Sequence, residues 1–90
     1  MWEIEEEWHW EVRTESIRFY LSNGEERLAY DISRIALVDY FNTDDTKEDA
    51  EKLFQLHNDR IKELAIKLVP ERKPQDSFMI NLDVCNRLEL

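Results

Sequence analysis

An Asn-Gly pair set between two alternating apolar runs constrains this chain more than any other feature. Asn23-Gly24 is the pair that a two-residue type I′ turn requires, because both central residues need φ > 0. With those two as the loop, Ser22 faces Glu25, Phe19 lies opposite Leu28, and Ile17 lies opposite Tyr30. Leu21 and Ile32 fall on the same face, because alternate residues of a strand share a side. A slip of one residue would set the apolar residues of one strand against the polar residues of the other. The spacing therefore predicts an antiparallel hairpin over 16–32.

The flanks add further elements. Trp2, Ile4, Trp8, Trp10 and Val12 occupy even positions, the alternation of a strand with one buried face. Glu6 interrupts it, so a strand is expected from Trp8 to Val12, and the acidic segment 1–7 reads as frayed or held in a contact with another chain. Ser33 reads as an N-cap opening a short apolar helix over 33–41. Asn42 to Asp45 is a polar break, and Thr46 is a second N-cap with Glu48 and Asp49 suited to the first turn. Ala50, Leu53, Phe54, His57, Ile61 and Leu64 lie on one stripe of a helix over 46–69 that stops at Pro70. A polar connection between Pro70 and Pro74 leads to Phe78, Ile80, Leu82 and Val84, which alternate as a strand over 77–84. The expected architecture is a single α+β domain over 1–90. It is a two-layer sandwich in which an antiparallel sheet of three to four strands carries both helices on one face.

Charge narrows the partners. The 90 residues hold 21 acidic and 12 basic side chains, a net charge of −9. Nucleic-acid binding draws mainly on Lys and Arg neutralising phosphates, so such a partner is disfavoured. The best local basic group is Arg60, Lys62, Lys67, Arg72 and Lys73. No 18-residue apolar run is present, so no membrane association is expected. One cysteine permits no intrachain disulfide, and without an apolar leader the cytoplasm is the expected compartment.

Few residues suggest chemistry. His57 sits on the apolar stripe beside Asp59 and Arg60. It reads either as a general base or interface hinge, or as a boundary histidine of the core. Asp59 is two residues on and points away on a helix, so no dyad is completed locally. His9, between Trp8 and Trp10, reads as a surface residue. Cys85 falls on the polar side of the expected last strand, near Asp83, Arg87 and Glu89, and reads as an inert thiol. Zinc and EF-hand spacings are absent, so no metal is expected. The single glycine is spent on the turn, which leaves none for a phosphate-cradling loop, and no cofactor is expected. Trp2, Trp8 and Tyr20 are the candidate contact residues, since aromatic side chains are enriched at interfaces.

As a set, several stretches resemble a bacterial family, domain of unknown function 1488 (DUF1488). They are Trp10, the hairpin strand ending near Phe19, Tyr30-Asp31-Ile32-Ser33 running into Ala36-Leu37, then Asp39 and Phe41. Phe54, His57, Asp59, Ile61, Leu64 and Ala65 continue the resemblance, which spans Trp8 to Val84. The glutamate-rich start and Leu68-Val69-Pro70 depart from the family pattern. The resemblance implies a small two-layer α+β protein and assigns no activity. The leading expectation is a non-enzymatic protein-interaction module or homo-oligomer, with a protein partner or self-association. A small enzyme or ligand-binding protein using His57 is the alternative, and a nucleic-acid regulator ranks last.

Overall fold

The computed structural model describes residues 1–71 and 77–88. The strands are β1 (Glu3–Ile4), β2 (His9–Glu11), β3 (Ser16–Ser22), β4 (Arg27–Ser33) and β5 (Phe78–Ile80). The helices are α1 (Arg34–Tyr40), α2 (Lys47–Leu56), α3 (Asn58–Leu68) and α4 (Leu82–Leu88), with a 3₁₀ turn at Val69–Glu71. The sheet order is β1-β3-β4-β5, and β2 also pairs with β3. The α+β class stands, but four helices replace the expected two among the described residues. The sheet has five strands, and β5 runs parallel to β4. A parallel neighbour needs a crossover, and α1 to α3 supply it.

The hairpin forms with its register moved by two residues. Phe19 lies opposite Tyr30, Ile17 opposite Ile32, Leu21 opposite Leu28 and Ser22 opposite Arg27. The physical reason lies on the inner face. Centring the turn on Asn23-Gly24 would set Glu26 opposite Leu21, whereas the observed register places Leu28 there and moves Glu26 into the turn. Gly24 takes φ +91 and follows Asn23, whose N–H donates to Glu26 O; Asn23 itself is not at positive φ, so the expected type I′ pair does not form. A two-residue shift keeps every side chain on its expected face.

The N-terminal segment is ordered along β3. Ile4 pairs with Leu21 and His9 with Arg18, so residues 5–8 stand against residues 19 and 20 alone. Two residues are looped out, a bulge that keeps even positions inward on both sides of Glu6. Trp2, Ile4, Trp8 and Trp10 accordingly pack against the core. The expected strand stops early: β2 ends at Glu11, and Val12 is 78% exposed in the following turn.

The inner sheet face and the helices enclose the core. Phe19 stacks on Tyr30 with ring centroids 5.4 Å apart and also touches Phe54 of α2 at 5.5 Å. The buried Tyr30 hydroxyl donates to the Ala65 carbonyl of α3 at 2.8 Å, tying sheet to helix. Both expected caps form: Ser33 Oγ accepts from Ala36 N and Thr46 Oγ1 from Asp49 N, each at 3.0 Å. The polar break after α1 is a Schellman motif, with Asn42 at φ +56 and Thr43 N donating to Val38 O at 2.9 Å.

Two expected elements are corrected. The helix over 46–69 is interrupted at His57, whose φ of −105 and ψ of 26 lie outside helical values. Neither Pro nor Gly stands in that segment, and the interruption coincides with the His57 ring stacking flat on Phe41, 4.0 Å between centroids. The strand over 77–84 is only three residues long. Asn81 Oδ1 accepts from Val84 N at 3.0 Å and starts α4, which places Cys85 in the core rather than on a polar strand face. No described helix is long and apolar enough to cross a membrane.

Candidate functional site

Among the described residues the outer sheet face carries no helix, and it gathers the polar side chains of four strands. One cross-strand row runs His9, Arg18, Asp31 and Met79. Asp31 is buried, and Arg18 meets it with two parallel bonds, Nε to Oδ1 at 2.8 Å and Nη2 to Oδ2 at 2.9 Å. Such fork-to-fork pairs are the stronger kind of ion pair. The hydrogen bond to Asp31 pushes the Arg18 guanidinium further toward its charged form. Arg18 Nη2 also reaches Ser77 Oγ at 3.4 Å, so one arginine spans the sheet from β3 to the start of β5.

A second group lies one row away. Arg27 of β4 lies over the Tyr20 ring, its guanidinium carbon 3.7 Å from the centroid. From there it reaches Glu5, with Nε to Oε2 and Nη2 to Oε1 both at 3.0 Å. Glu5 is placed by its own backbone, whose N–H donates to Tyr20 O at 2.9 Å. The Arg27 hydrogen bond holds the Glu5 carboxyl below its ordinary range. The bulge after Ile4 thus has a use, since it sets Glu5 where Arg27 ends.

The sequence-derived candidates separate. Tyr20 lies on this open face. Trp2 and Trp8 pack against the core instead, and Trp8 meets Phe54 with centroids 5.3 Å apart. His57 belongs to another group, stacked on Phe41, with the Arg60 guanidinium carbon 5.4 Å from that same ring. Burial, then the charge of Arg60, lowers the His57 pKa from its ordinary value. Asp59 is exposed and makes no hydrogen bond to His57 among the described residues. Burial pushes the Cys85 thiol up to about 11, which keeps it protonated. Among the described residues no group of His, Cys, Asp or Glu is arranged to hold a metal ion. Of the basic group, Lys62 pairs with Glu3 at 3.3 Å, while Arg72 and Lys73 lie outside the described residues.

Reading the sequence missed Arg18, Asp31, Arg27 and Glu5 as one surface, and the register is the reason. With the turn centred on Asn23-Gly24, Arg18 would face Ala29 rather than Asp31. A usable signal was present: only a register two residues further on sets opposite charges directly across the strands.

Comparison with known proteins bears on the fold and the family. No curated protein matches the chain. It is similar to a crystal structure of a protein of unknown function from the DUF1488 family of Shewanella loihica PV-4. The TM-score is 0.74 at 21% identity, over 88% of this chain and 90% of that one, a likeness that shows the fold alone. The model of that family, described as protein of unknown function, matches residues 5–82, from the glutamate that clamps Arg27 to the first residue of α4. With most of its length matched, the chain belongs to the DUF1488 family.

Proposed function

We propose that this protein is a non-enzymatic interaction module that meets another protein chain through the open sheet face around Tyr20. The observation that carries this reading is the Glu5–Arg27–Tyr20 stack. Tyr and Arg are the residue types that most often dominate binding energy at protein contacts. Here the arginine is already fixed by two bonds to Glu5 and by the ring beneath it. A side chain held in place before contact loses less entropy on binding. The neighbouring Arg18–Asp31 pair is likewise satisfied within the sheet, so a partner meets ordered side chains.

The test is a pull-down of the tagged full chain at native expression, read by mass spectrometry, beside sedimentation of the purified chain for self-association. Tyr20→Ala and Arg27→Ala are compared with the natural sequence. The expected result is a stoichiometric partner, or a self-associated species, lost in both variants. Folding stability should shift by no more than about 1 kcal/mol for the exposed Arg27 and by about 1–2 kcal/mol for the half-buried Tyr20. A partner retained by both variants overturns this face as the contact. A chain that sediments as a monomer and captures nothing overturns the module reading itself.

A further inference from the structure

The turn between β3 and β4 holds a chemical arrangement that the sheet face does not use. Asn23 Oδ1 accepts two backbone hydrogen bonds, from Glu25 N at 3.0 Å and Glu26 N at 2.8 Å. Two backbone N–H groups converging on one carbonyl oxygen are what stabilises the oxyanion that forms when a carbonyl is attacked. The nucleophile is the next atom group along the chain. The Gly24 amide nitrogen makes no hydrogen bond among the described residues. Gly24 is exposed, and nothing lies within 4 Å of the point where a Cβ would stand. The other asparagines lack this combination. Asn42, Asn58, Asn81 and Asn86 precede Thr, Asp, Leu and Arg, and among the described residues Asn81 Oδ1 receives one N–H, that of Val84.

We propose that Asn23-Gly24 is a self-modification site, at which the folded turn promotes closure of a succinimide. The Gly24 nitrogen gives its proton to water and bonds to Asn23 Cγ, while charge collects on Oδ1 between the two N–H donors. The Cγ–Nδ2 bond then breaks, and Nδ2 leaves as ammonia after taking a proton from water. A second water opens the ring at either carbonyl. The net change is asparagine plus water to an acid plus ammonia, with no oxidant or cofactor. Opening at the main-chain carbonyl gives isoaspartate, and opening at the other gives aspartate.

The two products differ in consequence. Aspartate keeps an acceptor for the Glu25 and Glu26 amides and adds a negative charge to an already acidic tip. Isoaspartate routes the main chain through the side-chain methylene, inside the turn closed by Asn23 N to Glu26 O at 3.2 Å. The next cross-strand pair is Ser22 with Arg27. The modification therefore acts one step from the arginine that covers Tyr20, on the open face. The proposal does not rest on that face being a contact surface.

The experiment incubates the full folded chain in mildly alkaline heavy-oxygen water, with a second sample unfolded in guanidinium at the same pH. Peptide mapping follows oxygen incorporation at each asparagine and separates aspartate from isoaspartate. The expected result is conversion at Asn23 ahead of the other four asparagines, about tenfold faster folded than unfolded, equivalent to about 1.4 kcal/mol of barrier. A folded rate equal to or below the unfolded rate overturns the proposal, because the turn then contributes nothing or protects. Glu26→Pro deletes one of the two donors, and its folded rate should fall toward the unfolded one. If that variant does not fold, the comparison of folded and unfolded natural chain still decides.

Discussion

The two faces of the β3–β4 hairpin share one backbone and are held by different forces. Inward, Ile17, Phe19 and Leu21 oppose Ile32, Tyr30 and Leu28, all buried. Outward, Arg18 opposes Asp31, and Arg27 crosses Tyr20 to reach Glu5. Burial of apolar area is non-directional, and its pattern repeats every two residues. It selects which side chains point inward, and between registers two residues apart it discriminates only at the turn end, where Leu21 would face Glu26 rather than Leu28. A bidentate ion pair has a direction and a fixed reach, so it does discriminate between them. The inner face therefore supplies most of the stability, and the outer pairs help set which residues meet.

The sharpest way to break that contrast is Phe19→Ala. It opens a cavity among Tyr30, Phe54 and their neighbours and should cost about 3–5 kcal/mol in urea denaturation. A loss near that of an exposed substitution would remove the claim that stability resides inside. Asp31→Ala comes next. It leaves Arg18 partly buried without its partner, for an expected loss of about 2–3 kcal/mol. A double-mutant cycle with Arg18→Ala should return a coupling of at least about 1 kcal/mol, and additive losses would deny the pair a part in register.

Tyr30→Phe probes the inner face at a polar contact. It keeps the ring and removes the hydroxyl from the Ala65 carbonyl, for about 1–2 kcal/mol by chemical denaturation. The smallest expected effect is a pH dependence outside both faces. The pKa of His57 is lowered from its ordinary 6.5 in the folded chain. As pH falls below that value the unfolded chain takes up the proton first, so stability drops and then levels off below the folded pKa. Above it both states are neutral and the contribution vanishes. His57→Gln should flatten this part of the stability profile, and an unchanged slope would assign it to other groups.

Local chemistry was legible wherever a single residue suffices. Ser33 and Thr46 cap helices from sequence position alone, because a short oxygen-bearing side chain before an apolar run satisfies free amide groups in any context. The inward set of the hairpin and of the long stripe was legible for the same reason, periodicity. The last strand was misread because Phe78, Ile80, Leu82 and Val84 alternate, while Leu82, Cys85 and Leu88 also keep helical spacing. Asn81 as a cap, Asp83 in the first turn and Arg87 in the last were the signals for a helix there. Val12 continued the alternation past the point where β3 offers it a partner, and it ends exposed.

The candidate surface was less legible than the fold. Tyr20 was reached by residue type, but its covering arginine and the anchoring glutamate lie 7 positions downstream and 15 upstream in the chain. Their meeting depends on two features that no local rule contains, the hairpin register and the bulge after Ile4. The break at His57 is of the same kind, since the stretch around it reads as continuous helix until Phe41 is placed against it.

The sequence by itself determined the α+β class, the inward face of each main strand, the starts of α1 and α2 and the turn region. Each follows from steric and solvation preferences acting over a few residues. Tertiary structure alone decided the parallel seating of β5, the interruption at His57 and the assembly of Glu5, Tyr20 and Arg27, and it settled the register among those the turn region allows. Those depend on which distant side chains meet, and the free energy that selects among the alternatives arises only when the chain has closed on itself.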